Sequence, residues 1–144
     1  MLVCKKEIRF DTEGEAHIID ITSQVQEMAS EAGISNGMVC VFVPGSTGAV
    51  TTIEFEPGLL KDIPDALERL FPKDMTYEHH LKWHDGNGHS HVRAAFLGAS
   101  LTVPISDCKL TLGTWQQIVF IDMDARARKR TVILEFIGEG HEPA

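Results

Sequence analysis

Apolar residues recur along the whole chain at two spacings. Alternation, or a short unbroken apolar run, predicts a strand, and recurrence three and four apart predicts a helix. VCKKEIRF (3–10) alternates, and AHIIDI (16–21) reads as its hairpin partner across a turn at Thr12 to Gly14. A helix is predicted next: Thr22 or Ser23 can cap it, Val25, Met28 and Ala29 share a face, and Gly33 ends it. GMVCVFV (37–43) is continuously apolar, as a buried central strand should be, and AVTTIEFE (49–56) reads as its antiparallel neighbour. A second helix fits 57–71, with Leu60, Ile63, Leu67, Leu70 and Phe71 on one side and a kink or fresh first turn at Pro64. The segment around 77–91 lacks periodicity and is expected to be a loop, followed by a short helix entered at Ser90 and closed by Gly98. SLTVPI, KLTL, TWQQIVFIDMD and RKRTVILEFIG complete the reading as strands.

About eight strands and two to three helices result, in the order ββαββα(α)ββββ. Strands and helices do not alternate regularly, so an α+β domain with a largely antiparallel sheet is expected over 1–144, not a doubly wound fold.

Composition narrows the classes of function. Of the 144 residues 43% are hydrophobic and 24% charged, which suits one globular domain with its own core. A formal net charge of −8 argues against nonspecific nucleic-acid binding and against an anionic membrane surface. The start MLVCKKEIRF lacks the apolar stretch of a secretory signal, and a soluble, cytoplasmic protein is expected. Cys4, Cys40 and Cys108 show no paired spacing, so neither a disulfide framework nor a thiolate zinc site is indicated.

Chemistry concentrates in four stretches. In YEHHLKWHDGNGHSHVR (77–93) stand His79, His80, His84, His89 and His91, five of the chain's seven histidines, with Asp85 and Asn87 among them. Histidine changes charge nearest neutral pH and binds metals and phosphate oxygens, so this crowding around Gly86 and Gly88 favours a functional pocket. A divalent metal, magnesium or zinc, on His79, His91, Asp85, His84 and His89 stays open, although no strong metal spelling is present. VPGSTGAVTT (43–52) is a small-residue turn whose N–H groups, with Ser46 and Thr47, could hold a phosphate; an ordinary hairpin turn is the plainer alternative. Glu54 follows it. In GTWQ (113–116), Trp115 and Gln116 could form a pocket wall or simply belong to core or interface. In DARARKR (124–130) the alternating Arg126, Arg128 and Arg130 could clamp phosphate, but a solvated edge strand is the favoured reading.

Together these stretches resemble the YjbQ-like family of small uncharacterised proteins. The resemblance is carried by Ser46-Thr47 through Thr51-Thr52-Ile53-Glu54, Tyr77-Glu78-His79, Asp85-Gly86-Asn87, Ser90-His91-Val92-Arg93, Leu97-Gly98-Ala99-Ser100, Gly113-Thr114-Trp115-Gln116 and Ile137-Gly138-Glu139. It implies a sandwich-like antiparallel sheet, a homotrimer, and a cleft gathering the polar residues. It also implies, for some members, a secondary thiamine-phosphate synthase activity that joins a pyrimidine diphosphate to a thiazole phosphate. His79, Asp85, Asn87, His91 and Gln116 match the motif positions expected to be catalytic, and Ser46, Thr47 and Glu54, with Arg93, those expected to bind substrate phosphate. Many members open the first motif with a histidine where this chain has Gly45, so His84 or His89 is expected to substitute for it.

Three functions follow as expectations. The first is an enzyme acting on a small phosphorylated metabolite, most specifically by thiamine-phosphate synthase-like transfer. The second is metal-assisted phosphate-ester hydrolysis, and the third a non-catalytic trimer that binds a phosphorylated metabolite.

Overall fold

Strand β7 (Gln117–Asp122) is covered on both faces, and the other elements can be placed from it. Its Ile118 and Phe120 enter one apolar cluster, and Val119 and Ile121 enter a second. A strand buried on both sides needs apolar side chains at consecutive positions, so the IVFI run shows no alternation.

The structure, a computed structural model, describes residues 1–140. Along the chain lie β1 (Leu2–Thr12), β2 (His17–Asp20), α1 (Thr22–Ala32), β3 (Ile34–Phe42), β4 (Gly48–Ile53), α2 (Pro57–Leu70), α3 (Glu78–Trp83) and α4 (Gly88–Leu97). Then follow β5 (Ser100–Ser106), β6 (Lys109–Leu110), β7 and β8 (Arg128–Gly140). The fold is α+β. A five-stranded sheet runs β1-β8-β3-β5-β6 and a three-stranded sheet β2-β7-β4, with every pairing antiparallel.

The inner face of the larger sheet, with Ile8, Val39, Val41, Val132, Leu134 and Phe136, packs against Val25 and Ala29 of α1 and against Phe120. The far side of the smaller sheet is covered by Leu67 of α2 and Ala94 of α4. Each fully buried Ile, Leu or Phe stabilises the fold by about 1.5–3 kcal/mol relative to exposure. The doubly covered β7 is therefore a rigid base, and its C-terminal end is where the candidate site begins.

Several expectations change. β1 does not pair with β2: it pairs with β8, and β2 pairs with β7. β3 is central in the larger sheet as expected, but β4 is not its neighbour and pairs with β7 in the smaller sheet. There are four helices among the described residues, because the histidine segment contains α3 and α4 starts at Gly88. No residue of α3 is buried, so its six residues leave no apolar period to read. Asp20, not Thr22 or Ser23, accepts the first N–H of α1, while Gly33 ends the helix at φ 73° as expected. α2 runs through Pro64, and Glu56 caps it by accepting from the N–H groups of Gly58 and Leu59. The stretch 124–130 is not one edge strand: β8 starts only at Arg128 and lies between β1 and β3.

Candidate functional site

Two carboxylates at the end of β7 organise this end of the molecule. Asp122 is fully buried and accepts from Arg130 Nε at 2.8 Å, Arg130 Nη2 at 2.8 Å and the Thr12 hydroxyl. Asp124, 2% exposed, accepts from Thr47 Oγ1 at 3.1 Å and Asn87 Nδ2 at 3.3 Å, and Arg128 Nε stands 3.1 Å away. Burial alone would raise both carboxyl pKa values. Hydrogen bonds from Arg130, Thr12 and the Asp124 N–H outweigh it at Asp122, and the adjacent Arg128 guanidinium with hydrogen bonds from Thr47 and Asn87 does so at Asp124, leaving both below the ordinary value. The network ties the end of β1, the 44–47 turn, the start of α4 and the start of β8 to one point.

Above it lies a cleft of about 340 Å³, bordered by Gly45, Ser46, His91, Ala94, Ala95 and Gly98. Gly48 and the alanines of α4 leave this space free of side-chain bulk. A Cβ on Gly48 would meet the Phe120 ring at 2.8 Å, so the turn can approach the core only with glycine there. His91 rises from the second turn of α4, and its ring lies 4.3 Å from that of His79 on α3. His79 Nδ1 is buried without a hydrogen-bond partner and is 3.5 Å from Asp85 Oδ1. Burial, with His79 next in effect, holds the His91 pKa below 6.5. At neutral pH its imidazole is therefore neutral, with one nitrogen able to accept a proton. A nearby anion would reverse that balance and favour the imidazolium.

Thus His79, Asp85 and His91 converge, with Ser46 across the cleft. Other expected residues do not join them. Thr47 and Asn87 belong to the buried network, where Asn87 Oδ1 also accepts from Ser90 Oγ and from the Ala125 N–H. Glu54 is exposed just past β4. Gln116 borders a separate depression of about 300 Å³ with Thr52, Thr102 and Thr111, and donates to Thr52 Oγ1 at 3.1 Å. Arg93 is turned away: Nε and Nη2 donate to the Phe71 carbonyl at 3.0 and 2.8 Å, and Nη2 to Glu68 at 2.7 Å.

The five-residue metal set is not assembled. His84 is the exposed C-cap of α3, and His89 is fully buried with its Nδ1 unpartnered. Among the described residues no group of three or more His, Cys, Asp or Glu is arranged to hold a metal ion. Neither His84 nor His89, expected to make up for the missing histidine of the first motif, borders the cleft that Gly45 lines; His91 does. Asp122 and Asp124 escaped the sequence reading; the available signal was that carboxylates ending a continuous apolar run are buried with it and need partners, which the arginines just downstream can supply.

The family profile described as "UPF0047 protein YjbQ-like" matches residues 6–139. A "UPF0047 protein" of Methanothermobacter thermautotrophicus is 40% identical over 130 residues, covering 90% of each chain. UPF0047 protein YugU of Bacillus subtilis is 32% identical, over 92% of this chain and 98% of its own. Among solved structures, a YbjQ-like protein of unknown function from Sulfolobus solfataricus superposes with a TM-score of 0.90 at 34% identity, over 95% of this chain and 98% of that one. A YjbQ/UPF0047 protein from Clostridium acetobutylicum gives 0.84 at 36% identity, over 92% and 99%.

Proposed function

The chain belongs to the UPF0047 protein YjbQ-like family, and on that premise we propose that it is an enzyme acting on a small phosphorylated metabolite. The observation that carries this reading is the His79–His91 pair, backed by Asp85 and facing the Gly45–Ser46 turn across a small cleft. The cleft is at the small end of ligand-site sizes, which run from about 300 to 1,000 Å³. In its most specific form the reaction is thiamine-phosphate synthase-like transfer. There the bond between the pyrimidine methylene carbon and the diphosphate oxygen breaks, and a bond to the thiazole nitrogen forms. The diphosphate leaves with the electron pair. His91, neutral in the free protein, becomes cationic beside the phosphates and hydrogen-bonds the departing oxygen, with His79 and Asp85 orienting it.

Metal-assisted hydrolysis finds less support, because the ligand set it needs is not gathered among the described residues. We further propose that the chain works as a homotrimer. The 73% exposure of Trp115, next to Gln116 and outside the His91 cleft, suits a loop that a neighbouring copy covers. Nucleic acid is an unsuitable partner for a chain of net charge −8, and among the described residues no helix is long and apolar enough to cross a membrane.

The test is condensation of a hydroxymethylpyrimidine diphosphate with a thiazole phosphate by purified protein. Turnover that His91→Ala abolishes supports the reading. A kcat/KM far below about 10⁴ M⁻¹s⁻¹, with tight binding of the same substrates, points instead to a binding protein.

A further inference from the structure

The buried network contains one group that its own ion pair does not use. Arg130 Nε and Nη2 are both taken by Asp122, and Nη2 also donates to Thr47 Oγ1 at 2.8 Å. Nη1 has no hydrogen-bond partner among the described residues. It lies 3.6 Å from where a Cβ on residue 45 would stand, so glycine at that position leaves it uncovered. Gly45 has φ +142°, a conformation that residues with side chains rarely adopt, so backbone and space both keep this spot clear. The backbone N–H groups of Gly45, Ser46 and Thr47 also find no acceptor among the described residues. Consecutive unpaired N–H groups beside a fixed guanidinium edge are the donor types from which anion-binding sites are built.

We propose that Arg130, through Nη1, and the N–H groups of the 45–47 turn bind a phosphate group at the Gly45–Ser46 end of the cleft, a role expected of Arg93 once the family resemblance was drawn. The inference rests on the reading that this cleft takes a phosphorylated metabolite, and it says which residues hold the phosphate. Asp122 fixes the guanidinium before any ligand arrives, so little side-chain freedom is lost on binding. A guanidinium edge and a row of N–H groups offer several donors at once, which suits the several oxygens of a phosphate better than the two of a carboxylate. Arg93 cannot serve without giving up its contacts to Phe71 and Glu68.

Inorganic phosphate, diphosphate and acetate are titrated into ¹⁵N-labelled protein, with the arginine side-chain and backbone N–H signals followed by NMR. Saturable shifts of the Arg130 Nη signals and of the Gly45–Thr47 amides with phosphate or diphosphate, but not with acetate at equal concentration, are expected. Arg130→Lys keeps the charge but can satisfy Asp122 only by withdrawing from Gly45. It should weaken phosphate binding by about tenfold or more, the worth of one charge-assisted hydrogen bond. Arg126→Lys, at an exposed arginine nearby, should leave affinity unchanged. If Arg130→Lys fails to fold, the wild-type shifts still decide. Saturable shifts at His91 with none at Arg130 or the turn would overturn this assignment and leave the enzymatic reading standing. Acetate shifting the same signals equally would overturn the phosphate preference. No saturable shift at His91 or at the turn would overturn both.

Discussion

The imidazole of His79, on α3, lies 4.3 Å from that of His91, on α4, with the two ring planes tilted by 35°. Two rings this close cannot both carry a proton cheaply, so a charge placed on one is resisted by the other. Asp85 Oδ1 stands 3.5 Å from His79 Nδ1, and burial, with His79 next in effect, keeps His91, the ring that borders the cleft, neutral at neutral pH. His91→Ala should lower turnover of the phosphorylated substrate by a factor of about 10² or more, the usual contribution of a positioned acid or base. Circular dichroism and the thermal midpoint should stay close to those of the parent. Undiminished kcat in the folded variant would remove His91 from the chemistry.

The Asp122–Arg130 pair is the strongest stability prediction. Asp122→Ala leaves a largely buried guanidinium without its carboxylate, and breaking such a pair from one side costs about 3–5 kcal/mol. Urea unfolding should show this loss. A change below about 1 kcal/mol would mean that water or Thr47 satisfies Arg130 equally well.

A second stability prediction concerns pH. His89 is fully buried, and burial, with Arg93 next in effect, holds its pKa below 6.5; His91 is lowered by burial and by His79. The folded state then binds these protons less readily than the unfolded state. The resulting stability is complete above pH 6.5 and is lost as pH falls through 6.5 toward the lower folded values. His89→Leu removes one of these groups at nearly constant volume. Its stability at about pH 7.5 should lie within about 1.5 kcal/mol of the parent, and its loss between about pH 7.5 and about pH 5.5 should be smaller. Equal losses in both proteins would show that His89 does not titrate in this way.

Gly48→Ala places a methyl 2.8 Å from the Phe120 ring in the first apolar cluster. It should destabilise the protein by about 1–3 kcal/mol, as overpacking a filled core does. It should also shift the amide signals of the 45–47 turn. Unchanged thermal stability would show that the Phe120 ring moves aside freely.

Element positions could be read from the chain far better than element partners. Eight strands in the right order follow from alternation and apolar runs, which are local signals. The pairing β1–β8 brings Leu2 opposite Gly138, and no local signal reports so distant a contact. Short turns suggested hairpins at Thr12–Gly14 and at PGST, yet in both places the chain passes between the two sheets. At the cleft, the density of histidines did not separate His91, which borders it, from His84 and His89, which do not. His89 faces inward and His84 outward because α3 and α4 set their directions, and α3 has no apolar face to reveal it. Arg130 looked like an edge charge because its partner, Asp122, lies on a strand of the other sheet. The family resemblance grouped Gln116 with Ser46 and His91, yet Ser46 and His91 border one cleft and Gln116 another depression of the same chain, because the resemblance reports shared motifs and not their distances.

The most direct measurement is the titration of the His91 imidazole by NMR, with and without saturating diphosphate. If the cleft holds phosphate beside His91, the ring titrates below 6.5 in the free protein and its pKa rises when diphosphate is present, because the bound anion favours the imidazolium. An identical His91 titration curve in both samples would contradict a phosphate site at this cleft.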